Sequence, residues 1–523
     1  MRKKSRIFII AAAGLLLAAC GSKTDTAENK ETDNGKNGVA YLMEKHQESQ
    51  EKAKEEAESK SQVGNDKSMK IKSVKDLQKF VERIAGGEVA LEASLEADLD
   101  LSEVCGESKG SWEAIRDYNG SFDGQGHTIS NLYITGDSKG GLFFGLKKDS
   151  VIKNLNLTEI KIDVNGSAGG IAAESIGVIE NCTSSGSVKG TGDGVFVGGI
   201  AGSATTITDC QNLAVVEANG GQQRNIYASA GGVVGCVEGK ITGCSNSGAV
   251  SGEQGWIGGI AGFADTYGED YFTIMECKNS GSVQSGNVAG GILGCADNGL
   301  LDHCVNTGGV TGGYYSGGVL GAVMNGLRSG VIDSAIIINS CNKGDILAQT
   351  QPNKEALRAG GIAGNLSGDD SYMANCYSLG SVSTLREGKN FKAGIAAGLV
   401  ASTGHGVYNC YTMAKLSSES GSDFDWEEGI GIGLDFCQNA FFLNGTEKKE
   451  ERVGNGTGDP SDTTVEQFTD GTVLSALQNG WKDSVDPEII TRLDGQLKKY
   501  DLSVDDMSSW KAAEDGTPCF EWE

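Results

Sequence analysis

Apolar and polar positions follow one another in short runs through most of the chain, and the same run returns about every 30 residues. Each unit begins with a pair of glycines, then a β-branched residue or leucine, and a second apolar residue stands three positions before a cysteine. The first glycines of these pairs are Gly140, Gly169, Gly198, Gly231, Gly258, Gly290, Gly317 and Gly360, with Ala393 as a degenerate ninth. No unit contains ten residues of helical periodicity, so the pattern predicts stacked strands and excludes a helical repeat.

The spacing within one unit predicts how its strands are joined. Ile241 stands three positions before Cys244, and an odd offset cannot place both residues on one face of a straight strand, so we expect a bend between them. Val250, six positions after Cys244, predicts a third strand beyond a turn. Three short strands joined by bends in every unit predict an all-β fold, a right-handed parallel β-helix in which each turn buries its apolar face against the next.

The start of the chain has the pattern of an export signal, with basic residues at 2–6 and an apolar run at 7–19 that is too short to span a bilayer. Leu17-Ala18-Ala19-Cys20 resembles the bacterial lipobox, which implies cleavage before Cys20 and lipidation of that cysteine. An ordinary secretory signal is the alternative. The resemblance predicts an exported protein that is held to the bacterial cell membrane by acylated Cys20 and exposed on the cell surface.

Composition shifts divide the rest of the chain. Residues 20–70 are polar and charged and predict a flexible tether. Ser73, apolar residues at helical spacing and Gly86-Gly87 predict a short capping helix, since exposed ends of a solenoid need a cover. We therefore expect a signal peptide at 1–19, a tether at 20–70, an N-terminal cap with the first turns at 71–139, repeats at 140–443 and a C-terminal cap at 444–523.

The charge balance limits the partners. The chain has 44 Lys and Arg against 70 Asp and Glu, a formal net charge of −26, and no dense basic run follows the leader. Nucleic acid is therefore not expected as a partner, because phosphate binding needs clustered cations. Neither an EF-hand-type pattern nor paired short Cys-x-x-Cys spacings are present, so we expect no metal and no cofactor, and we expect a monomer.

The glycine phrase also carries a family resemblance. Gly-Gly-[Ile/Val]-x-Gly occurs at 198–202, 231–235, 258–262, 290–294, 317–321 and 360–364. These phrases, each followed by an apolar residue and a cysteine, resemble GLUG repeats over 140 to about 443, which implies a β-helical stalk or binding region on a bacterial surface. Such repeats accompany adhesins and a family of immunoglobulin A metalloproteases. The chain lacks His-Glu-x-x-His, so the resemblance does not extend to peptidase activity.

The cysteines predict a structural ladder. Its members are Cys182, Cys210, Cys244, Cys277, Cys304, Cys341, Cys376, Cys410 and, more weakly, Cys437. Adjacent turns lie about 4.8 Å apart, within the Cα range of a disulfide, but an odd number cannot all pair. We expect mostly reduced thiols that act as small apolar residues. The best disulfide candidates are Cys236 with Cys244 and Cys295 with Cys304, because each pair lies within one unit.

Polar residues beside the cysteines form two further columns. Asn212, Asn246, Asn279 and Asn306 stand two positions after their cysteines, where stacked amides could bond from turn to turn. The position just before each cysteine is mostly polar, which indicates solvent and would pair His303 with Glu276 at the surface.

Insertions between the glycine pair and the cysteine indicate where a ligand binds, since loops at equivalent positions project from one side of a solenoid. The candidate ligand-binding residues are Tyr267, Asp270, Tyr271, Phe272, Asp369, Asp370 and Tyr372. The alternative is that these loops only cover an edge. We expect an adhesin-like scaffold that binds an extracellular glycan or a host or matrix protein.

An enzyme is the second hypothesis, because some parallel β-helices cleave acidic polysaccharides. Asp209 and Glu276 are two turns apart, about 9.6 Å, near the upper limit for an inverting carboxylate pair. No third carboxylate and no basic residue accompanies this pair in the sequence pattern, so no catalytic residue is assigned. A set of aromatic residues two positions before the glycine pairs is expected to pack in the core. These residues are Phe196, Trp256, Tyr315 and Phe391.

Overall fold

In the computed structural model the chain winds into a parallel β-helix whose turns each contribute three segments of strand. The structure describes residues 68–523 except 224–225, 266–270, 324–333, 351–355, 369, 387–393, 403–405, 420–425, 433 and 444–459. Cys20, Tyr267, Asp270, Asp369 and Phe391 lie outside the described residues.

The first segment of each turn follows the glycine pair and leads into a sharp bend. Its strands are Phe143–Leu146, Val151–Lys153, Ala172–Glu180, Ala201–Thr208, Val234–Thr242, Ala261–Ala264, Phe272–Met275, Leu293–Ala296, Gly299–Asp302, Leu320–Val323, Ala335–Ile338, Ala363–Asn365, Tyr372–Ala374, Gly406–Thr412 and Phe436–Leu443. In three early turns this segment is continuous, and in later turns the insertions divide it into two strands. The last two strands continue through the bend into the second segment.

The second segment follows the bend. Its strands are Asn156–Val164, Thr183–Thr191, Gln211–Asn212, Val215–Asn219, Ser245–Asn246, Val250–Gly252, Lys278–Asn279, Val283–Ser285, Val305–Asn306, Val310–Gly312, Cys341–Asn342, Ile346–Thr350, Tyr377–Ser378, Val382–Arg386 and Leu416–Glu419. The third segment ends at the next glycine pair. Its strands are Ala168–Gly169, Phe196–Gly198, Ile226–Gly231, Gly255–Gly258, Val288–Gly290, Tyr315–Gly317, Leu357–Gly360, Gly394–Ala397 and Trp426–Glu428, and Gln222–Gln223 pairs antiparallel with one of them.

Successive turns pair in parallel and in register. Ile241 lies opposite Ile274, and Gly258 lies opposite Gly290. The first and second segments join into one 37-stranded sheet, and the third segments form a 10-stranded sheet. Buried aliphatic side chains from all three segments fill the interior, so each turn is stabilised by its neighbours, as the repeat predicts.

The predicted bend is formed by a residue in the left-handed region. In successive turns the residue just before the second segment has a φ between about 48° and 66°. These residues, the bend column, are Asn154, Asn181, Asp209, Gly243, Glu276, His303, Asn339, Asn375, Asn409 and Asn439. Asparagine and glycine tolerate this conformation best, which explains the polar position beside the cysteines.

The glycine pair is required by the amide ladder inside the solenoid. Asn246 Nδ2 donates to Asn279 Oδ1 at 2.8 Å, and Asn279 Nδ2 donates to Asn306 Oδ1 at 2.9 Å, so the predicted bonding between turns is confirmed. A Cβ on Gly259 would lie 2.3 Å from Cγ of Asn279. Only glycine leaves space for the amide there.

The cysteine ladder differs from the prediction at two members. Ser340, not Cys341, lies opposite Cys304 and accepts a hydrogen bond from the Cys304 N–H at 3.1 Å. Ile337 occupies the apolar position between Leu301 and Met373. Cys341 therefore stands one position past the ladder along the chain, opposite Tyr377, and its side chain faces outward. Cys437 lies opposite Val407, which belongs to the column of apolar residues three positions before the cysteines.

No disulfide joins any of the cysteines in the described residues. Cys182, Cys210 and Cys376 each donate their backbone N–H to the sulfur of the next cysteine, at 3.2–3.4 Å. The two disulfides considered do not form. Cys236 packs outside the solenoid beside Phe263, whereas Cys244 lies in the interior, and Cys295 and Cys304 are separated in the same way.

Of the aromatic residues before the glycine pairs, Trp256 and Tyr315 are buried and Phe196 is half-buried, but they do not lie in the interior as expected. Ile257 faces the interior, and its neighbour Trp256 therefore faces outward, because side chains alternate along a strand. Trp256 packs there on Phe263, with ring centroids 4.6 Å apart, and Tyr315 belongs to the same outer cluster. Phe196 packs against it.

Helices occur at both ends of the described chain. Helix α1, Val74–Ala85, begins at the predicted N-cap Ser73 and buries Leu77, Phe80 and Ile84 against the first turns. Those turns contain the strands Ser68–Ile71, Glu92–Leu95, Leu99–Asp100, Ser121–Asp123, Thr128–Ser130 and Tyr133–Gly136, with a 3₁₀ turn at Leu101–Glu103. Among the described residues, no helix has the length and apolar character needed to span a membrane.

The C-terminal segment, residues 461–523, contains most of the helix. After the strand Ser461–Thr463 come α2 (Val465–Thr469), α3 (Thr472–Ser484) and α4 (Pro487–Leu497), then 3₁₀ turns at Lys498–Tyr500 and Val504–Asp506. It ends in an antiparallel hairpin of Trp510–Ala512 and Pro518–Phe520.

Candidate functional site

The face predicted to bind ligand is covered by the C-terminal segment of the same chain. Phe272 is fully buried in the interior, and Tyr372 is only 2% exposed. Arg492 of α4 lies over the Tyr372 ring, 5.9 Å from its centroid, and pairs with Asp370 at 3.0 Å. Asp370 and Tyr372 therefore serve as a docking surface for α4; Phe272 and Tyr372 are buried, whereas the Asp370 side chain stays 42% exposed.

Tyr271 takes part in the same covering. Its ring meets the ring of Tyr500 edge-on at 5.5 Å, and Lys499 lies 5.3 Å from its centroid. Both partners belong to the C-terminal segment. The described aromatic residues Tyr271, Phe272 and Tyr372 thus pack against other parts of the same chain.

We call the contact between the C-terminal segment and the outer face of the solenoid the seam. At one side of the seam, Val485, Leu493 and Leu497 pack on outward-facing apolar residues of the first segments. At the other side, Phe468, Val473, Leu477, Trp510 and Phe520 pack on two outward-facing tyrosines of the second segments, Tyr377 and Tyr411. Burial of this apolar surface holds the segment in place.

The two tyrosines form the base of the seam. Their rings stack at 5.0 Å with an interplanar angle of 3°, because they occupy equivalent positions in adjacent turns. Tyr411 donates its hydroxyl to the Pro518 carbonyl. Burial raises the pKa of both phenols well above the ordinary tyrosine value.

A carboxylate from the C-terminal segment closes one side of the seam. Tyr377 donates its hydroxyl to Glu523 Oε1 at 2.6 Å, and Lys343 Nζ lies 2.5 Å from Glu523 Oε2. The Cys341 sulfur lies 3.6 Å from Glu523 Oε1. Cys341 therefore lies at the seam and not in the ladder, and burial raises the pKa of its thiol.

The bend column supplies the polar contacts of the seam. Asn339 Oδ1 accepts the Ser508 N–H at 2.8 Å, and Asn375 Nδ2 donates to the Ser508 carbonyl at 3.0 Å. Trp510 Nε1 donates to Asn375 Oδ1 at 2.6 Å. Side-chain amides therefore fix the segment by its backbone and by one indole. These contacts give a second reason for asparagine at the bend position in these turns, besides its tolerance of the left-handed conformation.

His303 does not pair with Glu276 as the sequence predicts. Its Nδ1 lies 2.6 Å from Asp302 Oδ1, and its Nε2 lies 2.7 Å from Ser508 Oγ. The His303 ring also packs on the Trp522 indole with centroids 5.3 Å apart. Glu276 stays exposed one turn away. The C-terminal segment brings these partners from more than 200 residues away in the sequence.

A cavity of about 530 Å³ lies within the seam, between the bend column and the C-terminal segment. Its polar lining residues are Asn375, Asn409, Gln478, Asn479, Asp505, Ser508, Ser509 and Glu521. Its apolar lining residues are Leu477, Val504, Met507 and Trp510. Amides, hydroxyls and carboxylates thus surround a partly apolar space, and the described lining contains no lysine, arginine or histidine. We call this space the seam cavity.

The other sequence candidates do not line the seam cavity. Asp209 and Glu276 are exposed residues of the bend column. No group of three or more His, Cys, Asp or Glu side chains with the geometry of a metal site is present in the part of the chain that the structure describes.

Sequence reasoning missed the seam, although one signal was present. Outward-facing aromatic residues recur in adjacent late turns, as Tyr372 and Tyr408 in the first segment and Tyr377 and Tyr411 in the second. Such columns would be costly to expose, so they indicate that another part of the chain covers these turns. Which part covers them could not be read from periodicity.

No family model matches the chain. A stretch of 149 residues is 31% identical to Halomucin of Haloquadratum walsbyi (strain DSM 16790 / HBSQ001), covering 27% of this chain and 2% of the relative. The chain thus spans only a small fraction of the relative that it matches. A structure from Bacteroides ovatus described as a candidate immunoglobulin A1 protease has 16% identity and a TM-score of 0.33, covering 88% of this chain and 94% of that chain.

Proposed function

We propose that this protein is a lipid-anchored scaffold on the bacterial cell surface and that it holds an extracellular glycan in the seam cavity. The leader with Cys20, the charged tether and the GLUG-like glycine phrases support the location. A β-helix is also suited to a stalk, because it extends by adding turns without changing its cross-section.

The proposed binding function rests on the seam cavity. Its volume of about 530 Å³ lies within the range of small-ligand sites, and its polar groups converge from three parts of the chain. Asn479 and Ser509 present an amide and a hydroxyl, groups that donate and accept hydrogen bonds and so match the hydroxyls of a sugar. Leu477 and Met507 supply apolar surface for the C–H faces of a ring.

Charge selects among glycans. Asp505 and Glu521 bring two carboxylates to the cavity lining, and the described lining contains no lysine, arginine or histidine. A uronate or sialate carboxylate would meet like charge there, whereas a neutral sugar or an amino sugar would not. We therefore expect neutral or amino sugars to bind, and a host or matrix protein would bind through such a glycan.

The test is a binding screen of the full mature chain in detergent against neutral, amino and acidic oligosaccharides. The variants are Asn479→Ala and Glu521→Gln, and Glu514→Gln is the matched control because Glu514 is exposed on the same hairpin outside the cavity. We expect each cavity variant to weaken binding about tenfold, the effect of losing one hydrogen bond worth about 1.4 kcal/mol, and the control to leave it unchanged. A glycan that binds all variants equally, or the absence of any glycan ligand, would refute the assignment.

A further inference from the structure

Asp302, His303 and Ser508 form a hydrogen-bonded relay at the edge of the seam cavity. Ser508 Oγ lies 2.7 Å from His303 Nε2, and His303 Nδ1 lies 2.6 Å from Asp302 Oδ1. The Asp302 side chain is 4% exposed, the imidazole is 28% exposed, and Ser508 lines the cavity. A hydroxyl, an imidazole and a buried carboxylate in this order are the groups that acyl transfer by a serine requires.

The surroundings hold the imidazole in the tautomer that this chemistry needs. Asp302 can only accept, so His303 Nδ1 carries the proton that faces it, and Nε2 is left to accept the Ser508 O–H. Asn339 Nδ2 donates to the same Asp302 oxygen at 2.8 Å and fixes the carboxylate. The Trp522 indole packs on the other side of the ring.

Trp522 supplies a fourth group. Its Nε1 donates to Ser508 Oγ at 3.0 Å, so the indole N–H helps to hold the serine oxygen in place against His303 Nε2.

Docking of the C-terminal segment does not by itself explain why position 303 of the bend column is a histidine. Asn375 and Asn439 hold the segment with amides alone, through the carbonyls of Ser508 and Ala476. Among the described residues of the bend column, histidine occurs only at 303, where the serine hydroxyl reaches it.

We propose that Ser508, His303 and Asp302 are an ester-hydrolysing site that removes an acyl group from a polyol held in the seam cavity. The identity of the polyol rests on the proposed function, whereas the acyl chemistry rests on the relay. Esters are favoured over amides because an alkoxide leaves more readily than an amide anion. A glycosidic bond is excluded as a target, because serine needs an acyl carbon to attack.

The reaction has two balanced halves. Ser508 Oγ bonds to the ester carbonyl carbon as His303 Nε2 takes the hydroxyl proton, and the bond to the sugar oxygen then breaks as that oxygen receives the proton. A water molecule next attacks the acyl-serine and gives a proton to His303. The proton returns to Ser508 Oγ as the carboxylic acid leaves, so that ester and water become alcohol and acid.

The first experiment needs no mutation. The full chain is treated with a fluorophosphonate probe, which labels activated serines, and the labelled peptide is identified by mass spectrometry. We expect the label on Ser508. Absence of label from Ser508 would overturn the proposal.

The second experiment measures hydrolysis of p-nitrophenyl acetate and of an O-acetylated neutral sugar. We expect Ser508→Ala and His303→Gln each to lower the rate at least 100-fold, and Glu514→Gln, which changes an exposed side chain of the C-terminal hairpin outside the cavity, to leave it unchanged. Thermal unfolding of each variant reports whether the seam stays docked. Hydrolysis that persists in a docked Ser508→Ala protein would contradict the relay. Glycan binding without hydrolysis would refute this inference alone, whereas hydrolysis without glycan binding would refute only the proposed function.

Discussion

Replacement of Asn279 by alanine tests whether the internal amide ladder stabilises the solenoid. Asn279 is 1% exposed, and its side chain takes part in four hydrogen bonds. Its Nδ2 donates to the Gly281 carbonyl and to Asn306 Oδ1, both at 2.9 Å. Its Oδ1 accepts from Asn246 Nδ2 at 2.8 Å and from the Gly281 N–H at 3.2 Å. The substitution removes all four bonds at once.

The expected loss follows from these bonds. At a net value of about 1 kcal/mol for each hydrogen bond, Asn279→Ala costs about 4 kcal/mol. Much of this cost arises because the Gly281 N–H stays buried after its acceptor is removed. No new contact offsets it, because Gly259 leaves that space to the amide and has no side chain to fill it.

The assay is urea unfolding followed by circular dichroism, together with hydrogen exchange across the turns that contain Asn246 and Asn306. Lys278→Ala is the matched control, since Lys278 precedes Asn279 on the same strand and is exposed. We expect the control to stay within about 0.5 kcal/mol of the parent protein. A loss below 1 kcal/mol for Asn279→Ala, or loss of protection spread evenly over all turns, would refute the role assigned to the ladder.

Three further predictions concern the seam, the thiols and pH. Arg492→Ala removes an ion pair and a ring contact from α4, so we expect proteolysis within 461–523 to accelerate as docking weakens by about 1 kcal/mol; an unchanged cleavage rate would contradict this. Burial raises the pKa of the Cys304 thiol to about 12, so we expect it to react with a thiol reagent only after unfolding, whereas half-buried Cys519 reacts slowly in the native chain; fast native modification of Cys304 would refute this. Hydrogen bonds from a lysine and the backbone lower the pKa of Asp494 below 3.8, so its stabilisation is present above that value and is lost as the pH falls through its folded pKa. Burial raises the pKa of Tyr118 above 10.0, so its contribution to stability is present below pH 10 and is lost as the pH rises. The free energy of unfolding should therefore fall at both low and high pH. A flat profile of unfolding free energy against pH would contradict the assignment.

Much of the fold could be predicted because its determinants lie close together in the sequence. The period between glycine pairs, the odd offset between Ile241 and Cys244 and the asparagine two positions after the cysteine all concern one turn and its neighbour. In a solenoid those contacts make up most of the structure. The error at Cys341 has a local origin: the run Ile336-Ile337-Ile338 offers two registers one residue apart, and only pairing with Leu301 and Met373 selects one. The error at Cys437 is separate, because pairing with the preceding turn places Ala440 opposite Cys410.

The candidate site could not be predicted in this way. Residues such as Tyr372 were taken as open because a loop at that position projects from the solenoid, and nothing in one repeat tells that α4 lies over it. The outer aromatic cluster around Trp256 shows the same limit, because the alternation of side chains settles which face is inward only once a strand's neighbours are known.

By itself, then, the sequence determined a stack of three-sided turns, the position of each bend and an internal column of amides, because these features depend on spacings within about 30 residues. Only the tertiary structure decided that the C-terminal segment folds back along the outer face, forms the seam cavity and brings Ser508 to His303. The bonds from His303 to Ser508 and from Trp510 to Asn375 join residues 205 and 135 positions apart. The whole seam depends on which apolar surface the last helices bury. Neither periodicity nor local propensity encodes that choice. The hydrophobic effect is non-directional, so an apolar helix face does not by itself specify which apolar surface it will pack against.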